Sequence, residues 1–177
     1  MDVDVTSDTS PYENRVLRSF AFIDLSGFTR YTDAEGDQAA VGILTDFRLR
    51  VREIAARRGV RIAKWLGDGA MLVGVEAEPL TEAIVDMQGA FEDQPLALRA
   101  GLSSGPVILF EGDDYIGRAV NLAARLCSLA DPGQVIAPTT MISTLMVNTV
   151  ATPIGSHEVQ GFAEPVELVQ LDSREAL

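Results

Sequence analysis

Two aspartates stand where an acid is costly to keep. Asp24 closes the apolar run Phe22-Ile23 and precedes Leu25-Ser26-Gly27-Phe28-Thr29, and Asp68 sits between two glycines in Lys64-Trp65-Leu66-Gly67-Asp68-Gly69. A carboxylate at the end of a strand-like apolar run contributes nothing to packing and is expensive to desolvate unless positive charge lies beside it. Two of them suggest a metal, because magnesium asks for one or two carboxylates plus phosphate oxygens. Ser26, Gly27 and Thr29 are residues of the kind that open helices, and first-turn N–H groups suit phosphate. Lys64, the only lysine in the chain, lies four positions before the second acid. Together these stretches read as a metal-nucleotide site, whereas either aspartate alone would more simply cap or solvate a turn.

A third stretch is Asp114-Tyr115-Ile116-Gly117-Arg118-Ala119-Val120-Asn121-Leu122-Ala123-Ala124-Arg125. Asn121 and Arg125 are four apart on an expected helix and therefore share a face. An amide and a guanidinium presented together suit a sugar oxygen and a phosphate; without the other stretches they would be a cap and a solvated arginine.

The elements that must position these residues follow from periodicity and punctuation. Residues 1–14 are expected as a flexible leader, with the first strand over 18–24. A helix runs from Asp37, with Val41, Leu44, Val51 and Ile54 on one face, Arg48, Arg52 and Arg58 on a solvated one, and Gly59 as its stop. Runs 60–66 and 70–75 form a hairpin with Asp68 at its tip. A second helix over 78–93 turns Leu80, Ile84, Met87 and Phe91 inward. Runs 96–104 and 107–110 read as a strand pair turning at Gly105-Pro106, and 111–117 as a loop. A helix over 121–130, a strand over 134–137, a short helix over 139–146 and strands over 151–159 and 166–171 complete the chain. This order gives an α+β sandwich, helices over a mainly antiparallel sheet.

Composition narrows the partners. At 177 residues, with 47% hydrophobic content, the chain is one domain's worth and can bury a core unaided. A net charge of -12 repels phosphate backbones and anionic lipid, so neither nucleic acid nor membrane surface is an expected partner. Cys127 is the only cysteine, which precludes an internal disulfide and fits a small buried side chain on a helix. No apolar run approaches the roughly 18 residues of a membrane span. A soluble, cytoplasmic protein is expected.

Phe22 to Thr29, Lys64 to Asp68, and Asp114 followed by Gly117, Asn121 and Arg125 resemble the catalytic domain of class III nucleotidyl cyclases, in order and over nearly the whole chain. The resemblance implies the ferredoxin-like, palm-type cyclase fold over 15–177 and conversion of ATP to cyclic AMP and pyrophosphate. It implies two divalent metal ions, magnesium or manganese, on Asp24, Asp68 and the Leu25 carbonyl, with Gly27, Phe28 and Thr29 on the β and γ phosphates. Asn121 would orient the ribose and Arg125 would neutralise charge on the α-phosphate. The site would straddle a head-to-tail homodimer, metals from one protomer and Lys64, Asp114, Asn121 and Arg125 from the other. Lys64 only donates and ionised Asp114 only accepts, which satisfies adenine N1 and N6; a shifted guanine could still offer O6 and N1–H to the same pair.

The chain departs from the family at three places. Gln160 stands where several relatives carry a phosphate-gripping lysine, Pro106 where some carry arginine, and Ser103 where many carry histidine. The short segment between Pro106 and Asp114 implies a small dimer contact. Two alternatives stay open: a cyclase-like domain that binds nucleotide or dimerises without catalysis, and a serine hydrolase in which Gly101-Leu102-Ser103-Ser104-Gly105 is a nucleophile elbow and His157 its base.

Overall fold

The computed structural model describes residues 15–112 and 114–176, so the expected leader lies outside them. Its centre is β1 (Arg15–Leu25), which pairs antiparallel with β3 (Gly69–Gly74) on one side and β4 (Leu98–Phe110) on the other. Alternation along β1 sorts its side chains. Ala21, Ile23 and Leu25 join the larger core, which is covered by α2 (Asp37–Arg58) and α3 (Ala77–Ala90). Phe20 and Phe22 face the opposite cluster, under α4 (Arg118–Leu129), and the same period puts Asp24 on that side.

The remaining strands are β2 (Arg61–Leu66), β5 (Asp114–Ile116), β6 (Val135–Pro138), β7 (Thr149–His157) and β8 (Val166–Ser173). The sheet runs β2-β3-β1-β4-β6-β8-β7, with β5 on β4, and every pairing is antiparallel except β4 with β6. The expected α+β architecture is therefore present, with helices on both faces of the sheet. Among the described residues, no helix is long and apolar enough to cross a membrane.

Several local expectations are corrected. Gly105-Pro106 is not a turn: β4 runs unbroken through it, pairing Gly105 with Arg18 and Pro106 with Leu17. Proline is tolerated because β6 pairs β4 only at Ala100 and Gly101 and β5 only from Ile108, leaving that edge without a strand partner between them. The hairpin instead turns at Glu111 and Gly112, both at positive φ, and continues into β5 within the expected loop. The helix expected over 139–146 shrinks to a 3-10 turn, Thr139–Met141, in a stretch whose β-branched Thr139, Thr140, Ile142 and Thr144 disfavour helix. On α2, Val41 is exposed and the buried face is Ala40, Phe47, Val51, Ile54 and Ala55. Its arginines are not simply solvated. Arg48 and Arg52 lie 5.0 and 5.1 Å from the Trp65 ring centroid, and Arg58 binds Glu82 and Asp86 of α3.

The serine hydrolase alternative fails on the same strand. Ser103 sits within β4, 2% exposed, with no strand-turn-helix elbow around it. The glycines of that motif seat α4: a Cβ on Gly101 would collide with the Cys127 amide nitrogen and the Ala123 carbonyl, and one on Gly105 would press on Ala119. His157 is occupied locally, its Nε2–H donating to the Ile154 carbonyl at 2.8 Å.

A β-bulge between Ile62 and Lys64 decides where β2 aims its side chains. Ile62 pairs with Leu72 and packs in the larger core, whereas Lys64 pairs with Met71 on the α4 face, with Ala63 as the extra residue. Lys64 is thereby carried to the α4 side while Trp65 returns to the core against Phe47.

The contact at Gly101 generates a stability prediction. Gly101→Ala forces α4 off the sheet and should cost about 3 kcal/mol, read as a lower urea midpoint at unchanged m.

Candidate active site

The two acids converge through one backbone contact. The Leu25 N–H donates to the Asp68 carbonyl at 3.1 Å, tying the end of β1 to the β2–β3 turn. Asp24 lies opposite Gly69 in the β1–β3 register, and a Cβ on Gly69 would collide with the Ile23 carbonyl, so the strands meet this closely only with glycine there. Asp24 and Asp68 consequently line one cavity of about 370 Å3 together with Leu25, Gly27, Phe28 and Thr29. Gly27, at φ 79°, is the N-cap of α1 (Phe28–Glu35) and supplies no side-chain cap, which leaves first-turn N–H groups beside the acids.

Arg99 is the cation lining this cavity. Its Nε donates to Asp24 Oδ1 at 2.7 Å and its Nη2 to Oδ2 at 3.1 Å, a bidentate fork. Its Nη1 reaches the carbonyls of Ser128 and Ala130, at 3.2 and 3.3 Å, at the end of α4. Burial pushes the Asp68 carboxyl above its ordinary value, and the neighbouring Asp24 charge pushes the same way. Burial likewise drives the Cys127 thiol up to about 12, so Cys127 is an inert packing residue, as expected from the sequence.

Two further clusters lie elsewhere on the chain. Lys64 Nζ on β2 donates to Asp114 Oδ1 on β5, uniting the two residues expected to read a base. Beside them Arg61 donates to the Tyr115 hydroxyl at 3.1 Å, and the Tyr115 ring stands edge-on to Phe20. Asn121 and Arg125 share a cavity of about 630 Å3 with Gln160 and Phe162. This cavity and the acidic one have no lining residue in common, and Lys64 and Asp114 line neither. One chain thus assembles three partial groups and does not bring them into a single cavity.

Two residues of the acidic cavity were not singled out by their sequence context. Arg99 is a lone charge on the β4 face that otherwise carries Gly101, Ser103 and Gly105, and its cue was the cross-strand pairing with Asp24, which sequence spacing does not display. Ser26, legible only as a helix-opening residue, places its buried Oγ in this cavity without a hydrogen-bond partner among the described residues. Among those residues no group of three or more His, Cys, Asp or Glu is placed to hold a metal. Two carboxylates with substrate oxygens remain a sufficient set for magnesium.

Comparison with known proteins identifies the family of the chain and its fold. An uncharacterized protein of Mycobacterium tuberculosis is 36% identical over 170 residues, covering 94% of this chain and 43% of that protein. An adenylate cyclase of Streptomyces coelicolor is 32% identical over 127 residues, 71% of this chain and 33% of that one. The chain therefore spans less than half the length of these curated relatives. Its fold is similar to the solved adenylyl cyclase CyaB from P. aeruginosa, with a TM-score of 0.80 at 27% identity, covering 92% of this chain and 97% of that one. The family model described as the adenylate and guanylate cyclase catalytic domain matches residues 13–173, and the chain belongs to that family.

Proposed function

We propose that the chain is an adenylyl cyclase domain that converts ATP to 3′,5′-cyclic AMP and pyrophosphate at sites shared between two copies. The observation that carries this reading is the convergence of Asp24 and Asp68 on one cavity at the uncapped start of α1. The cavity fits a divalent cation: it holds a desolvated acid, a second acid and an orphaned buried hydroxyl. Arg99 uses one lone pair on each Asp24 oxygen and leaves others for a cation. Asp24, Asp68 and the Leu25 carbonyl would hold magnesium or manganese, two ions per site. Bound there, such ions acidify the ribose 3′ hydroxyl and offset charge on the leaving pyrophosphate.

The chain's own groups supply position and charge. The N–H groups at Gly27, Phe28 and Thr29 receive the β and γ phosphates. Asn121 orients the ribose so that its 3′ oxygen lies in line with the α-phosphorus, and Arg125 offsets the charge gathering on the α-phosphate. Lys64 and Asp114 read the base by donating to adenine N1 and accepting from N6. Support for a shared site comes from the separation of the acidic cavity from the Asn121 and Arg125 cavity within one chain. It also comes from exposed Leu109, Phe110 and Ile116 on the β4–β5 hairpin, an apolar patch suited to a second copy. Gln160 favours a second reading, a domain that binds nucleotide without turning it over, because the Arg125 cavity gains no cation from that position.

One assay separates these readings: purified protein with ATP or GTP, magnesium or manganese, and the cyclic product identified by mass. Cyclic AMP is expected, and bound ATP with no cyclic product would select the second reading. Asp24→Ala and Arg125→Ala should each be inactive alone and recover part of the activity when mixed, through heterodimers that retain one intact site. Demonstrated mixed dimers without recovery would exclude the shared arrangement. Lys64→Glu should reduce ATP turnover about tenfold or more relative to GTP turnover, the value of a base contact worth roughly 1–3 kcal/mol.

Asp68 yields a prediction about stability. Its carboxyl holds a proton more tightly folded than unfolded, so its contribution to stability is present below pH 3.8 and is lost as the pH rises through the raised value. Asp68→Asn should melt above the parent protein at neutral pH, by a margin that narrows as the pH falls through the raised value towards 3.8. Manganese should raise the melting temperature of the parent and leave that of Asp68→Asn nearly unchanged.

A further inference from the structure

Arg99 is held so that it stays in the acidic cavity whatever else enters it. It lies opposite Asp24 in the β1–β4 register. Its nitrogens serve both Asp24 oxygens, at 2.7 and 3.1 Å, and the carbonyls of Ser128 and Ala130, at 3.2 and 3.3 Å. The Arg99 and Asp24 side chains are each 28% exposed. A swing out of the cavity would strand a half-buried carboxylate and take a donor from two carbonyls that the end of α4 leaves without helical partners.

A fixed positive charge therefore belongs to this cavity. Among the described residues its lining carries two carboxylates, Asp24 and Asp68, against that one guanidinium, so a single net negative charge faces an entering ion. A bare divalent cation gains only that attraction and meets direct repulsion from Arg99. Removing a unit charge from a few ångströms beside a divalent ion is worth about tenfold in affinity even in water-like surroundings.

A cation that arrives bound to a polyphosphate meets the opposite balance. The phosphate oxygens outweigh its charge, and the guanidinium and the uncapped N–H groups of α1 then attract the incoming group. The same side chain opposes one ligand and favours the other.

We propose that Arg99 is a resident counter-ion of Asp24 that opposes uptake of a divalent cation by itself and makes uptake depend on a polyphosphate arriving with it. Arg99 acts through Asp24, as a positioning residue. The dependence is reciprocal, since whatever the polyphosphate adds to cation binding the cation adds to polyphosphate binding. This role rests on the cavity being the cation-triphosphate site proposed above, and adds the condition under which that site fills.

Manganese alone, titrated into the full chain and followed by loss of the free-ion EPR signal, reads the first ligand. Preformed manganese–3′-deoxy-ATP, which lacks the hydroxyl needed for cyclisation, reads the second by calorimetry. The parent should bind the complex about tenfold or more tighter than the bare ion. Arg99→Gln should bind the bare ion about tenfold more tightly than the parent does, and the complex no more tightly. Arg99→Lys loses the fork but keeps the charge, so its affinity for the bare ion should stay within about twofold of the parent's. The gain in Arg99→Gln then reports charge and not a loosened tie to α4. Equal affinity of the parent for ion and complex would overturn the proposal, as would an unchanged or lower affinity for the bare ion in Arg99→Gln, or the same gain in both variants. Failure of the parent to bind the complex at all would instead overturn the assignment of the cavity, and this role with it.

Discussion

Two carboxylates facing one half-buried cavity repel each other, and the fold accommodates them through the guanidinium of Arg99. Its fork holds both oxygens of Asp24, and its remaining nitrogen holds the carbonyls of Ser128 and Ala130. Those carbonyls are the negative end of the α4 dipole, so one cation offsets a strand-end acid and a helix terminus together. The pairing has a structural consequence beyond charge. It fastens the end of β1 to α4, the helix whose middle turns carry Asn121 and Arg125. The cavity of Asp24 and the helix face of Asn121 and Arg125 are thus tied to each other by this side chain, and the glycine at 101 lets α4 lie close to the strand that carries it.

Much of this was legible in the sequence because it depends on short-range rules. Apolar alternation marked the strands, Gly67-Asp68-Gly69 marked the β2–β3 turn, and the inward face of α3 was correct at Leu80, Ile84, Met87 and Phe91. Asp24 and Asp68 meet at one cavity and Asn121 and Arg125 line another, whereas Lys64 lies away from the acid four positions after it and bonds Asp114 instead. What could not be read depends on contacts far apart in sequence. Gly105-Pro106 resembles a turn until β1 is known to pair alongside it, and the missing N–H matters little on an edge with no strand partner. Arg99 looked like an ordinary strand residue because its partner is 75 positions away. The α2 arginines looked solvated because neither Trp65 nor α3 is near them along the chain.

The same contrast explains the motif that pointed to a hydrolase. Gly-x-Ser-x-Gly fits two unrelated demands, a strained elbow that exposes a nucleophile and a strand that lets a helix backbone settle on its glycines. β4 meets the second. Small residues in that pattern carry no information on which demand applies until the next element is placed, and here it is a helix lying across the strand.

Ala63 is the supernumerary residue of β2, and it sets the phase of everything after it. Were the bulge flattened with Ala63 drawn into the ladder, strict alternation would return, the ammonium at 64 would swing beneath α2 and α3, and the indole at 65 would emerge on the opposite side. Removing Ala63 outright would leave both side chains on their present faces, because Lys64 would then follow Ile62 in phase. The strand tolerates one residue fewer, but not a regular ladder at its present length.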